Sequence, residues 1–438
     1  MPGGVSRSGR WVNWARNQRA LPREIRRPTT ELDLSVAVRD AARAGRRVKA
    51  VGAGHSFTGL AVAQDMLIDL SDYRRVLAVD REAKRVTVQS GIRLHELNDR
   101  LDQVGLALPN LGDIVAQSIS GAVSTGTHGT GARFQTIAAA VVGMRVIAGD
   151  GTVVIASDGE NRELLRVGRL GLGAIGVLSE MTLQCVDAFA LHAIEEPRPI
   201  DDVLSGFEEW VAGADHAEFF WFPHTEIAMT KTNRRVALTE DTRPRWRRVV
   251  DEEVVQNGLF GALTGIGRVA PRLIPSLARL TTAALERTEY TAPSAAVFAS
   301  PRRVRFVEME YAVPRHHLVD AFEQVRDLID DLPEPIGFPV EVRVLGADDI
   351  PLSPAGGRDS GYIAVHVPAA VPYRRYFDGV EAIMDAHAGR PHWGKLHGQT
   401  ATTLAPKYPE WAAFNDTREV IDPDRRFTNR ELERLLGS

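Results

Sequence analysis

Residues 112–131 constrain the fold of this chain most strongly, because the segment contains almost no large or charged side chain. Its glycines, serines and threonines would suit a flexible linker. However, the apolar residues Ile114, Ile119 and Val123 interrupt the polar ones, which is unusual for a linker. Small side chains and hydroxyl groups let a backbone lie close to a large flat ligand and offer hydrogen-bond donors to its edges. The segment therefore predicts one wall of a ligand site.

A second glycine-rich segment, residues 52–59, follows a short predicted strand at residues 48–51. It places His55 in a turn whose backbone N–H groups can approach a phosphate. The dinucleotide fingerprint would need a third glycine where Phe57 stands, so a nicotinamide-binding loop is disfavoured. Taken alone, the segment is also consistent with a glycine turn that carries a surface histidine.

The composition excludes several classes of protein. A chain of 438 residues is long enough for two or three domains, and its net charge of −4 gives no reason to expect nucleic acid as a partner. The single cysteine, Cys185, rules out an internal disulfide and Cys-rich metal sites, and its alternation with Leu183 predicts a buried thiol. No apolar run has the length of a membrane span, and the basic N-terminal residues are not followed by the apolar region of a signal peptide. We therefore expect a cytoplasmic protein.

Hydrophobic periodicity predicts an α+β organisation rather than a doubly wound sheet. In the first part of the chain it predicts a helix capped by Thr29 or Thr30, strands at 66–69, 76–79 and 85–89, a helix at 94–104, and strands at 141–147 and 152–156. From about residue 190 it predicts a second, antiparallel sheet with strands at 219–222, 304–313, 340–345 and 362–367.

A helical insertion is predicted at residues 245–290. Its part from 258 to 285 carries Arg268, Arg272 and Arg279, so peripheral contact with a membrane surface is one interpretation. A helix packed on its own domain is the favoured one.

Two groups of polar residues in the second half can carry chemistry. Glu341 and Arg343 are two positions apart in a predicted strand, so both project from one face while the neighbouring valines project from the other. They form either an exposed ion pair or part of a site. The segment 392–397 contains His392, Lys395 and His397 and suits an anion or polyol pocket. A metal site made of His387, His392 and His397 would have poor geometry.

Four motifs together resemble one family. They are residues 11–14 with Asn17, residues 52–56, residues 124–131, and the pair Glu341 and Arg343 with residues 392–397; residues 422–429 are also similar to the end of that family's chains. The sequence resembles the FAD-linked sugar-1,4-lactone oxidoreductases of the vanillyl-alcohol-oxidase type, which include gulonolactone, arabinonolactone and galactonolactone oxidases or dehydrogenases, with alditol oxidase nearby.

The resemblance implies an FAD-binding domain of the PCMH type, built from two α/β subdomains, at residues 1–188. It implies an α+β substrate or cap domain with an antiparallel sheet at 189–438, of which about 411–438 returns to the FAD domain. His55 matches the residue that relatives link covalently to the 8α-methyl group of FAD. Cys185 lies too far along the chain for the second link of bicovalent relatives, so a single histidyl link is expected.

The resemblance also implies which residues contact FAD. The expected set is His55, Gly52, Ala53, Gly54, Ser56, Phe57, Ser118, Gly121, Ser124, Thr125, Thr127, His128, Gly129, Ile175, Gly176, Val177 and Asn429.

The expected reaction is the oxidation of an alcohol carbon, with hydride transfer to flavin N5 and loss of the hydroxyl proton. Arg343 and Lys395 can stabilise the negative charge that develops, Glu341 can orient Arg343 and accept a hydrogen bond, and His392 or His397 could accept the proton. The expected substrate is L-gulono-, L-galactono- or D-arabinono-1,4-lactone, oxidised at C2 to an ascorbate-type product. The alternatives are an alditol oxidase acting on a polyol and a flavin-binding protein without turnover. The electron acceptor is either O2 or a cytochrome- or quinone-type carrier.

Overall fold

The computed structural model describes residues 3–6, 8–244, 270–299, 304–369 and 371–437. The strands in chain order are β1 (Gly4–Val5), β2 (Trp11–Val12), β3 (Arg19–Ala20), β4 (Glu24–Arg26), β5 (Val48–Val51), β6 (Met66–Asp69), β7 (Val76–Asp80), β8 (Arg85–Gln89), β9 (Leu106–Ala107), β10 (Val141–Ile147), β11 (Val153–Ser157), β12 (Val177–Gln184), β13 (Val186–Asp187), β14 (Phe189–Pro199), β15 (His216–Trp221), β16 (Ile227–Ala237), β17 (Thr288–Pro293), β18 (Phe306–Pro314), β19 (Val340–Leu345), β20 (Ser360–Pro368) and β21 (Arg390–Pro391).

The α-helices are α1 (Glu31–Arg43), α2 (Leu94–Gln103), α3 (Ile119–Thr125), α4 (Arg162–Gly168), α5 (Ile200–Ser205), α6 (Phe207–Ala212), α7 (Ile274–Ala283), α8 (Ser294–Phe298), α9 (Leu318–Asp331), α10 (Arg374–Ala386), α11 (Ala401–Leu404), α12 (Trp411–Ile421) and α13 (Arg430–Leu436). Short 3₁₀ helices lie at Gly59–Ala61, Leu70–Asp72, Ile137–Ala140, Pro271–Leu273, Arg315–His317 and Ala405–Lys407. Among the described helices, none is both long and apolar enough to cross a bilayer.

The first part of the chain contains a small parallel sheet in the order β4-β6-β5. Helix α1 connects β4 to β5, as a parallel pairing requires a crossover. Thr30 caps this helix, because its side chain accepts a hydrogen bond from the backbone of Asp33 while the Asp33 side chain accepts one from the Thr30 backbone. The predicted cap is therefore confirmed, and Leu34 and Val38 are buried on the inner face of the helix.

A five-stranded antiparallel sheet in the order β11-β10-β12-β8-β7 follows. Cys185 lies just beyond β12 and is only 2% exposed, which confirms the predicted buried thiol. Burial raises the pKa of this thiol to about 12, so it stays protonated and unreactive at neutral pH.

The segment 112–131 contains α3, a helix that the sequence did not predict. Ser118 is its N-cap and accepts a hydrogen bond from the backbone N–H of Gly121. Gly126 ends the helix in the left-handed region with φ of 77°, a conformation that favours glycine. The segment is therefore an ordered structural element and not a flexible linker.

The second part of the chain forms an eight-stranded antiparallel sheet in the order β17-β14-β16-β15-β19-β20-β18-β21. One face of its central strands is apolar and shares a hydrophobic cluster with the inner faces of α9 and α10. Val340, Val342 and Val344 belong to this face and are at most 1% exposed. The opposite face carries charged side chains. The mixture of these three sheets with helices confirms the predicted α+β class.

The last helix, α13, packs against the first part of the chain. Asn429 is its N-cap, and the Asn429 side-chain amide donates to the carbonyls of Gly59, Leu60 and Val62. Of the predicted helical insertion, residues 245–269 lie outside the described residues, and so does the first part of the predicted membrane-contact segment, residues 258–269. The described part contains α7, but the insertion's last residues belong to β17 and not to a helix. The domain boundary at 188 stays a prediction, and the large sheet begins with Phe189 in β14.

Candidate functional site

A cavity is lined by both glycine-rich segments, by β5 and by the start of β12. Eleven of the residues predicted to contact a cofactor line this cavity; they are Gly52, Ala53, Gly54, His55, Ser56, Ser118, Gly121, Ser124, Thr125, Gly176 and Val177. The two segments, more than fifty residues apart in sequence, therefore form one site.

Close backbone approach explains two of the glycines. A side chain at position 52 would clash with Ser118, because an added Cβ would lie 1.7 Å from its Oγ. Gly176 has a φ of +100°, and a Cβ there would lie 2.5 Å from Val146. Both positions hold the cavity wall tightly against the neighbouring segment, so glycine is required there.

Sequence reasoning missed several lining residues. They include Trp11, Lys49, Gln117, Ser120, Leu172 and Gly173. The sequence could have indicated Lys49, because it is a charged residue in an otherwise apolar predicted strand. Gln117 and Ser120 stand within the small-residue segment, but its periodicity did not indicate which residues face the ligand.

His55 is held in the wall of the cavity with its imidazole against Trp14. The two rings stack with centroids 5.8 Å apart and planes inclined by 23°. Both ring nitrogens of His55 are buried and accept or donate no hydrogen bond among the described residues. Burial and, to a smaller extent, the nearby charges of Arg93 and Lys395 lower the pKa of His55 to about 4. The imidazole is therefore neutral and nucleophilic at neutral pH.

The loop around His55 is braced by the N-terminal motif. The Asn13 side chain donates to the carbonyl of Ser56 at 2.9 Å, and the Asn17 side chain donates to that of Phe57 at 2.8 Å. The backbone N–H of Trp14 donates to the carbonyl of Gly54 at 2.8 Å. These bonds give residues 11–17 the physical role of holding the histidine in place.

Glu341 and Arg343 lie on the polar face of the large sheet. They are 7% and 9% exposed, so the exposed ion-pair interpretation does not apply. Arg343 contacts Glu341, and it donates to Asp113 at 2.7 Å and to Glu218 at 2.8 Å. Burial alone would lower the pKa of Arg343, but the three carboxylates raise it well above its usual value. The guanidinium is therefore a permanent buried cation.

Lys395 forms a second, partly buried cation near the same face. Its ammonium contacts Glu308 and lies 3.8 Å from an oxygen of Glu310, both of them on β18. Burial lowers its pKa, and these two carboxylates more than reverse that effect and raise it. The backbone N–H of Phe57 donates to the carbonyl of Gly394 at 2.7 Å, which joins the His55 loop to the Lys395 loop.

Strand register brings these carboxylates together. On β20, Ala364 is paired with both Glu341 of β19 and Glu310 of β18, and Phe220 of β15 is paired with Glu341. Directly paired residues share a face of a sheet, as do residues two positions apart on one strand. Glu308 and Glu310 alternate with apolar residues as Glu341 and Arg343 do, so the same sequence signal could have found them.

The two histidines predicted as proton acceptors are neutral; His392 is buried, and His397 is half-buried with both ring nitrogens enclosed. His392 accepts a hydrogen bond on Nδ1 from the Gly394 backbone, and His397 packs its ring edge-on to Trp393 with centroids 6.3 Å apart. Burial lowers the pKa of each to about 3. Imidazoles with so low a pKa accept protons poorly at neutral pH.

Six of the predicted cofactor residues lie outside the cavity lining: Phe57, Thr127, His128, Gly129, Ile175 and Asn429. The ring of Phe57 packs 5.9 Å from that of Phe306, and Ile175 is buried in the core of the first part of the chain. His128 lies with the polar face instead, because its Nε2 is 3.2 Å from Glu310.

His387, His392 and His397 do not converge, since His387 contacts His317 and Gln324. Two other groups have ligand-like spacing: His128, Glu310 and His392, and Asp113, Glu218 and Glu341. Arg343 already contacts all three carboxylates of the second group, so a side chain supplies the positive charge there.

Comparisons with known proteins agree with this arrangement. Residues 181–435, more than half of the chain, match the D-arabinono-1,4-lactone oxidase family, and residues 22–157 match an FAD-binding domain. The chain is 44% identical to L-gulono-1,4-lactone dehydrogenase from Mycobacterium tuberculosis, over 98% of this chain and 99% of that protein. It is 33% identical to L-gulonolactone oxidase from Scyliorhinus torazame, over 97% of each chain.

Among solved structures, cholesterol oxidase from Brevibacterium sterolicum has the same fold. The TM-score is 0.82, with 18% identity over 99% of this chain and 97% of that one. This likeness concerns the fold alone, whereas the sequence matches extend along nearly the full chain. The chain belongs to the D-arabinono-1,4-lactone oxidase family and carries that family's FAD-binding domain in its first part.

Proposed function

We propose that this protein is an FAD-dependent oxidoreductase that oxidises an aldono-1,4-lactone at C2. The observation that carries the proposal is a glycine- and hydroxyl-lined cavity joined, through the His55 and Lys395 loops, to a sheet face with two cations. The lining residues fit FAD, because Gly52 and Gly176 keep the wall free of side chains and the buried nitrogens of His55 and the Gln117 Oε1 have no described partner.

Bound FAD would supply a two-electron acceptor for the hydride that leaves the lactone carbon. The residues of the chain then provide charge and position. Arg343 and Lys395 are held protonated by their carboxylate neighbours, so they stabilise negative charge on the substrate oxygens in a buried site. Neither cation can accept the hydroxyl proton. Burial leaves His392 and His397 as weak bases for the same step. Glu341 contacts Arg343 on the polar face and can accept a hydrogen bond from the substrate hydroxyl.

The substrate is proposed to be L-gulono-, L-galactono- or D-arabinono-1,4-lactone, with an ascorbate-type product. A lactone places a carbonyl beside the reacting carbon, so the developing charge can be shared between two oxygens near Arg343 and Lys395. A polyol has no such carbonyl. The names of the two relatives, a gulono-lactone dehydrogenase and a gulonolactone oxidase, support the same class.

Anaerobic bleaching of the flavin absorbance tests this proposal. We expect the three lactones to reduce the flavin faster than xylitol or sorbitol at equal concentration. Faster reduction by xylitol than by every lactone would transfer the assignment to an alditol oxidase, and no reduction by any of them would favour a flavin-binding protein without turnover.

We further propose that His55 is linked covalently to FAD. Its neutral, unpaired and buried imidazole is suited to this role. Flavin should remain with acid-precipitated protein and should be released from the His55→Ala variant. Complete release from the unmodified protein would contradict a covalent link.

The electrons must pass from the reduced cofactor to O2 or to a cytochrome- or quinone-type carrier. Reoxidation rates of the lactone-reduced protein in air and with cytochrome c under argon will distinguish the two. A cytoplasmic location remains a prediction, which cell fractionation tests.

A further inference from the structure

Lys49 is a buried lysine whose function is not explained by the chemistry above. It lies on β5, is 3% exposed and lines the cavity. Its ammonium donates to the carbonyl of Gly173 at 2.9 Å and to that of Phe427 at 3.0 Å. Within the described part of the chain, no carboxylate lies at ion-pair distance from this nitrogen. Two carbonyls therefore fix the orientation of the amine without neutralising its charge.

The surroundings of Lys49 leave a buried positive charge uncompensated. The charged groups that face it are Arg418 and Asp422 on and beyond α12, which are 2% and 0% exposed. The carboxylate of Asp422 already accepts the backbone N–H groups of Arg426 and Phe427, both at 2.8 Å. One carboxylate thus faces two cations. A buried charge without a partner is costly, so an anion in the cavity would stabilise this group.

The pKa of Lys49 reflects the same imbalance. Burial and, to a smaller extent, the charge of Arg418 lower the pKa of Lys49 to about 7, although Asp422 acts in the opposite direction. In the absence of an anion, the amine is therefore poised to lose its proton near neutral pH. An anion placed against it would raise its pKa and would bind the protonated form more tightly.

We propose that Lys49 binds the diphosphate of the ADP half of FAD through its remaining N–H. This inference rests on the proposed FAD site. An ammonium has three N–H donors, and the carbonyls of Gly173 and Phe427 account for two of them. FAD brings two phosphate charges into the cavity, and the neighbouring glycine segment offers backbone N–H groups but no charge. Lys49 supplies that charge from the floor of the site.

Ligand fragments can test this role in flavin-free His55→Ala protein, where no covalent link interferes. Titrations with ADP, adenosine and riboflavin would compare this parent protein with variants that also carry Lys49→Met or Lys49→Gln. We expect Lys49→Met to weaken ADP binding by about tenfold or more, as for the loss of a charged hydrogen bond, and to leave adenosine and riboflavin binding unchanged. Circular dichroism and urea unfolding establish whether each variant folds. If Lys49→Met does not fold, Lys49→Gln serves in its place, because glutamine keeps a hydrogen-bond donor at this position.

Lys231→Met is the matched control. Lys231 is partly buried and also donates to a backbone carbonyl, that of Val297, but it lies near Glu195 and Glu218 on the large sheet. Its replacement should not change ADP affinity. An equal loss of adenosine affinity in Lys49→Met would overturn the assignment to the diphosphate, and unchanged ADP affinity in both Lys49 variants would overturn the inference altogether.

The pH dependence supplies an independent readout. ADP affinity of the parent should fall as the pH rises above about 7, because the free amine loses its proton there. Lys49→Met should lack this fall, and its persistence in Lys49→Met would contradict the proposal. If the parent binds neither FAD nor ADP, the proposed function fails together with this inference; if it binds both and Lys49→Met does not differ, only this inference fails.

Discussion

At the scale of single residues, the site depends on two cations that cannot release their protons. Arg343 has three carboxylate neighbours, and Lys395 has two. Each is nearly enclosed, so water screens these charges little. Both therefore act as fixed positive charges and neither serves as an acid or a base.

Replacing either cation should slow the chemical step and spare cofactor binding. We expect Arg343→Met and Lys395→Met each to lower the rate of flavin reduction by about a hundredfold, as for the removal of one electrostatic donor. Flavin content should stay normal, because neither residue lines the cavity. Stopped-flow reduction measures the rate, and Lys407→Met is the control, since Lys407 pairs with Asp385 on α10. If both variants reduced their flavin as fast as the unmodified protein does, Arg343 and Lys395 would have only a structural role.

The residue pattern of this site was only partly predictable. Alternation on one strand placed Glu341 and Arg343 on a common face, and this is what the structure has. Their partners could not be predicted in the same way, because Glu218 and Asp113 stand 125 and 230 positions before Arg343. No local periodicity connects residues so far apart; the pairing of β15 with β19 brings Glu218 to Arg343.

At the scale of elements, α13 closes the first part of the chain. Its N-cap residue Asn429 is 3% exposed and bonds the helix backbone and three carbonyls of the segment 59–62 at once. An N-cap normally serves its own helix alone. Here the same side chain also positions the turn that follows the His55 loop.

We predict that Asn429→Ala destabilises the protein more than the loss of an ordinary cap. Thr30→Ala on α1 is the comparison, since Thr30 is exposed and caps only its own helix; it should cost about 1 kcal/mol. Asn429→Ala should cost more, because the buried carbonyls of Gly59 and Leu60 lose a donor. Urea unfolding measures both values. A cost for Asn429→Ala no larger than that for Thr30→Ala would show that the three carbonyl contacts add nothing.

Some elements followed directly from the sequence and others did not. The strands 66–69, 85–89, 141–147 and 340–345 have the predicted bounds, because alternation and flanking turns mark them. Helix α3 was missed because Ser, Gly, Val and Thr are weak helix formers. Its capping by Ser118 and the burial of Ile119, Ala122 and Val123 stabilise it instead.

At the scale of the whole molecule, buried histidines link stability to pH. His216, His392 and His397 have pKa values lowered by burial from 6.5 to about 4, 3 and 3. Below pH 6.5 the unfolded chain takes up protons at these positions and the folded protein does not. The free energy of unfolding should therefore fall with pH from about 6.5 towards 4, by ~1.4 kcal/mol per pH unit for each fully neutral histidine.

Urea unfolding at a series of pH values measures this slope. His216→Gln should reduce the slope by ~1.4 kcal/mol per pH unit, the contribution of one proton. His95→Gln should leave the slope unchanged, because His95 is exposed. An unchanged slope in His216→Gln would contradict the assignment.

The family and the α+β class were predicted from the sequence, and both are confirmed. The order of strands in the large sheet was beyond such reasoning, because β15 pairs with β19 across more than a hundred intervening residues. The covalent link and the domain boundary stay predictions.

The bonds from Lys49 to Phe427 and from Asn429 to the segment 59–62 have a consequence for biosynthesis. A ribosome makes the first glycine-rich segment, residues 52–59, early and residues 427–429 more than three hundred residues later. Until those late residues emerge, Lys49 and the segment 59–62 lack their hydrogen-bond partners at residues 427 and 429. Cofactor capture should consequently be a post-translational event, and nascent chains stalled before residue 427 should retain no flavin.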